Sequence, residues 1–156
     1  MIRNARQYRI THAQAMKLEQ ALAQVKARAA HSTVHPRLLH AEQEALASQL
    51  ADLREQLAAY DALRTRKRPV LRLKSFDEFP RALIQARIAM GLSQKDLAKR
   101  LGLKEQQIQR YEATDYAGAS LARVSEVIRA LGLKVHEKII LPKPQSVITE
   151  NEEQPA

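Results

Sequence analysis

A chain of 156 residues with 45% hydrophobic content is long enough for one ordinary domain or two small helical ones, and too apolar for a disordered protein. Its 26 Lys plus Arg stand against 17 Asp plus Glu, a formal charge of +9 that points to a polyanionic partner, and the absence of Cys excludes disulfides, thiol catalysis and cysteine-ligated zinc. With only 4 Gly and 6 Pro in a background of Ala, Leu, Gln, Arg and Glu, the expected fold is mainly α.

Near the N-terminus, Arg3, Arg6 and Arg9 are not followed by an apolar signal region, and no run approaches the ~20 apolar residues of a membrane span, so a cytoplasmic location is expected. Thr11 and Gln14 have capping-box spacing and predict a helix from about His12 to Ala29, with Ala15, Leu18, Leu22 and Val25 on one apolar stripe. The segment from His31 to Pro36 breaks it. A second helix is expected from about Pro36, which suits a first helical turn, to Leu63. Along it Leu39, Leu46, Leu50, Leu53, Leu57 and Tyr60 follow four- and three-residue steps, interrupted once at Glu42 or Gln43, as in a coiled-coil seam. Such a seam on an otherwise polar helix must pack on a partner: the preceding helix, a second copy, or both.

The run Arg64-Thr65-Arg66-Lys67-Arg68-Pro69 reads as a basic linker, either a solvated tether or a segment lying against phosphates. Two short alternating segments, 70–73 and 133–141, are candidate strands that could pair, and the acidic tail beyond Pro142 is expected to be disordered. His31, His35 and His40 flank the helix break without a carboxylate at ligand spacing, so no metal or other cofactor is expected. Gly-rich phosphate loops and metal-hydrolase motifs are absent as well, and the expected function is not enzymatic.

Ser75-Phe76-Asp77-Glu78 has capping-box spacing, but Pro80 fits better near a first turn, which places the next helix at about Phe79 to Met90 with Leu83, Ile84 and Ile88 inward. Gly91 ends it. Ser93, with Asp96 three residues on, caps the following helix, where Leu97 and Leu101 face the core and small Ala98 admits a close helix crossing. Gly102 makes a sharp turn, Leu103 anchors it, and Ile108 with Tyr111 fixes the third helix while the polar residues between them face outward.

The stretch LSQKDLAKRLGLKEQQIQRYE, continued by Ser120-Leu121-Ala122-Arg123 and Ala130-Leu131-Gly132-Leu133, resembles the helix-turn-helix of the Xre family, which includes Cro, the lambda-type phage repressors and antitoxins of the higA type. The resemblance implies a lambda-repressor-like domain of four to five helices over 76–133; the patterns read above place a helical hairpin or coiled-coil region at 1–64 and a linker at 65–75 before it, and a strand and tail at 134–156 after it. It further implies a sequence-specific, double-stranded-DNA-binding repressor, and the leucine seam suggests a homodimer joined through the N-terminal helices. By the same resemblance Gln94 would donate to a phosphate, and Glu105, Gln106, Gln109 and Arg110 would point into the major groove. Lys95 and Lys104 are either phosphate contacts or plain surface charges. Gln107 stands where the family often has a small hydroxyl residue, and Glu105 suits the positive end of its helix as well as a base. The rival reading is an antitoxin that neutralises a toxin protein and autoregulates its operon.

Overall fold

A computed structural model describes residues 1–29, 33–65 and 70–142. The first helix, α1 (Ala5–Ala29), starts upstream of Thr11. Asn4 Oδ1 accepts from Gln7 N at 2.9 Å, and Gln7 Oε1 accepts from Arg3 N at 2.8 Å. Asn4 and Gln7 thus have the same spacing as Thr11 and Gln14. Two competent starts compete, and the upstream one prevails because each residue added to an existing helix gains a hydrogen bond without the cost of a new nucleus. Thr11 lies inside α1.

Helix α2 (Pro36–Arg64) begins with Pro36 in its first turn, as expected, and His35 Nδ1 accepts from Arg37 N at 3.2 Å. The bonds Tyr8–Asp61 (3.0 Å), Arg54–Glu19 (2.8 Å) and Arg28–Glu42 (2.6 Å) set α1 and α2 antiparallel. Between them Leu50 and Leu57 are buried against Ala15 and Ile2, with Tyr8, Leu18, Leu22, Leu53 and Tyr60 around the edge. Leu39 and Val25 are buried nearer the hairpin tip. The seam of α2 is therefore closed by α1 of the same chain, and the apolar demand that suggested a coiled coil between two copies is met internally.

A 3-10 turn at Phe76–Glu78 leads into α3 (Phe79–Ala89), followed by α4 (Gln94–Leu101), α5 (Glu105–Ala113) and α6 (Leu121–Ala130). Ser75 makes no side-chain cap; Glu78 instead accepts from Lys74 N at 2.9 Å. Ser93 and Asp96 form the reciprocal capping box, and Ser120 Oγ caps α6 through Arg123 N at 3.2 Å. Leu83, Ile84, Ile88, Leu97, Ala98, Ile108, Val127 and Leu131 form the buried centre of this four-helix unit, with Leu101 and Tyr111 half-buried at its edge.

Residues 70–73 and 133–142 are not strands, which corrects the expectation that they form and pair. Alternation assigns faces but supplies no hydrogen-bond ladder, and without one Val135, Ile139, Ile140 and Leu141 remain exposed. Residues 30–32, with His31, the linker residues 66–69 and the tail from residue 143 lie outside the described residues. The end of α2 reaches the second unit, where Tyr60 and Leu63 pack on its core.

Gly102 sits between α4 and α5 at φ +65°, where an added Cβ would meet nothing within 4 Å. Gly102→Val is expected to cost only the left-handed backbone strain, about 1–2 kcal/mol. In thermal unfolding of the full chain, that is a fall of about 2–8 °C in midpoint with the fold retained; outright unfolding would show that the turn tolerates no side chain.

Candidate nucleic-acid interface

Helix α5 fixes itself by the side chains that face inward. Ile108 is wholly buried, and Glu112, one turn on, is equally sealed at 0% exposure. A buried carboxylate needs a partner, and Arg87 of α3 supplies it with two parallel bonds, Nε to Oε1 at 2.6 Å and Nη2 to Oε2 at 2.7 Å. The same guanidinium donates to the carbonyls of Leu92 and Arg3, each at 2.7 Å. Gln94 Nε2 completes the shell of Glu112 at 2.8 Å. One buried ion pair thus ties α5 to α3, to the first residue of α4 and to the chain's N-terminal segment.

That segment adds further ties. Asn4 Nδ2 donates to Gln94 Oε1 at 3.2 Å, while Arg3 donates to Ala113 O at 3.1 Å and to Asp115 Oδ1 at 2.8 Å. Asp115 also accepts from Arg81 Nε at 3.0 Å. Asp115 and Tyr116 both have positive φ (48° and 59°), a conformation that ordinary residues adopt only when their surroundings impose it. Here two arginines hold the first, and burial holds the second. The Tyr116 hydroxyl is buried without a hydrogen-bond partner among the described residues, and desolvation, helped by the Glu112 charge, pushes its ionisation far above the usual phenol range. Across the turn, Ser93 holds the Asp96 carboxyl below its ordinary range. A depressed acid stabilises the fold above its unfolded pKa, so this cap's contribution is lost as pH falls through the folded value.

The outward face of α5 differs. Glu105, Gln106, Gln107, Gln109 and Arg110 are all exposed, as are Lys95 and Lys104. Gln107 Oε1 accepts from Lys104 N at 3.0 Å, capping the first turn of α5, and Gln109 Nε2 donates to Glu105 Oε1 at 3.1 Å. Gln106 and Arg110, one turn apart, make no side-chain hydrogen bond or ion pair among the described residues. Of the eight site residues expected from the sequence, Gln94 alone is buried. Residues 83–138, from the middle of α3 to beyond α6, match the family model described as helix-turn-helix. This part of the chain is a helix-turn-helix domain, similar to those of the Xre type. Searches of curated proteins and of solved structures found no match.

The helix-turn-helix domain supports a DNA-binding regulator, with α4 and α5 as its two named helices. Sequence reasoning missed the Arg87–Glu112 pair, although a signal was present. Arg87 stands next to Ile88 and one turn after Leu83 and Ile84, on the apolar side of α3, and Glu112 stands one turn after Ile108. Charges at core positions imply each other. It also missed Arg3 and Asn4, whose role depends on the hairpin folding back onto the domain. No helix among the described residues is long and apolar enough to cross a membrane.

Proposed function

We propose that the protein is a sequence-specific repressor that binds double-stranded DNA as a dimer in the cytoplasm and has no catalytic role. The observation that carries this reading is the exposed face of α5, where Gln106 and Arg110 present donors and acceptors that the fold does not consume. Gln106 and Gln109 suit bidentate pairing with adenine and Arg110 with guanine, while Glu105, in the first turn, serves the positive end of α5 and orients Gln109. Lys95 and Lys104 are assigned to phosphates, and so is the second amide hydrogen of Gln94, the first being held by Glu112. Gln107 keeps its amide free for the backbone while its oxygen caps α5. One domain offers few base contacts, and a two-fold partner on an inverted repeat doubles them.

The test begins with selection of bound duplexes from random DNA. On the selected site, Gln106→Ala and Arg110→Ala are each expected to weaken binding by about 1–3 kcal/mol, with little change on random duplex and an unchanged thermal midpoint. Equal loss on both duplexes would remove these residues from base reading. Light scattering with and without the selected duplex measures the dimer.

A further inference from the structure

Between Met1 and Lys17 the chain has Arg3, Arg6, Arg9 and Lys17 and no acidic residue. Arg3 is consumed by Asp115 and Ala113. Arg6 and Arg9 are exposed and have no hydrogen-bond or ion-pair partner among the described residues. The acids that bond to this segment are occupied by other residues: Asp61 accepts from Tyr8, and Asp115 holds Arg3 and Arg81. Arg6 and Arg9 also stand in the first turns of α1, where the helix dipole is positive and disfavours cations. The fold itself has no use for these two charges.

Their position supplies one. Asn4, immediately before α1, bonds to Gln94, the first residue of α4, and Arg3 bonds to the last residue of α5. Arg6 and Arg9 follow Asn4 by two and five residues, about 3 and 7.5 Å further along the helix. Unpaired cations thus follow, within two helical turns, the residue that bonds to the start of α4, the helix whose N-terminal residues are assigned to phosphate. We propose that Arg6 and Arg9 extend the DNA-binding surface beyond the helix-turn-helix domain, contacting backbone phosphates that flank the bases read by α5. This rests on the reading of the protein as a DNA-binding regulator. The contacts carry no base information and add affinity through counterion release.

The experiment uses the full chain, its Arg6→Ala/Arg9→Ala variant and the charge-reversed Arg6→Glu/Arg9→Glu variant. Affinity for the selected duplex and for a random duplex of equal length is measured across a series of salt concentrations. Each lost phosphate contact lowers the slope of log affinity against log salt by about 1, so the double alanine variant is expected to lose about 2. Affinity should fall by the same factor on both duplexes, further for the glutamate variant. The thermal midpoint should hold or rise, since cations leave the positive end of a helix. An unchanged slope and affinity in both variants, with Arg110→Ala still selective, would overturn the extension and leave the domain's own reading intact. Failure of the unaltered protein to bind any duplex would overturn both.

Discussion

Glu112→Ala is expected to destabilise the protein by about 3–5 kcal/mol, because it leaves the Arg87 guanidinium buried at 2% exposure with its charge uncompensated. Arg87→Ala should cost as much from the other side, and in addition it strands the carbonyls of Leu92 and Arg3. Urea denaturation of the three proteins measures the loss as a shift of midpoint at constant slope. Removing both charges together, as Arg87→Met/Glu112→Leu, should cost clearly less than the sum of the two alanine variants, since no buried charge is then left alone. Single-variant losses below about 1 kcal/mol would mean that water reaches the pair and that it is not the tie between α3 and α5.

Deleting residues 1–69 is expected to cost about 3–6 kcal/mol, the sum of half-buried Tyr60 and Leu63 leaving the domain core and of an Arg87 donor losing the Arg3 carbonyl. That is a large share of the ~5–15 kcal/mol that holds an ordinary domain together. The fragment 70–156 should therefore unfold far below the full chain's midpoint, and its α5 C-terminus should lose amide-exchange protection first, because Arg3 no longer binds Ala113 and Asp115. A fragment as stable as the full chain would show that the hairpin is an independent unit, leaving it free to join two copies or to hold another protein.

What the sequence determined by itself was local chemistry. Ser93 with Asp96, Gly91, Gly102 and Gly132, Pro36 and Pro80 each act within a few residues, and each lies where its own conformational preference puts it. The inward residues of α3 to α6 were legible for the same reason, since helical period alone sorts Leu83, Leu97 and Ile108 from their polar neighbours. The outward polar face of α5 followed by subtraction.

Tertiary structure decided the questions whose answers lie far along the chain. The leucine seam of α2 required a partner without naming it; the antiparallel register set by Tyr8–Asp61, Arg54–Glu19 and Arg28–Glu42 assigned α1 of the same chain. Two caps of equal spacing were open to α1, and the burial of Ile2 with the docking of Arg3 on the domain accompanies the earlier start at Ala5. Alternation at 70–73 and 133–141 could not become strands without a ladder. Arg87 and Glu112 are 25 residues apart, and only the packing of α3 on α5 turns two charges in apolar company into one bidentate pair. Periodicity and capping are properties of a few neighbouring residues, whereas pairing depends on which surfaces meet after the chain has closed its loops.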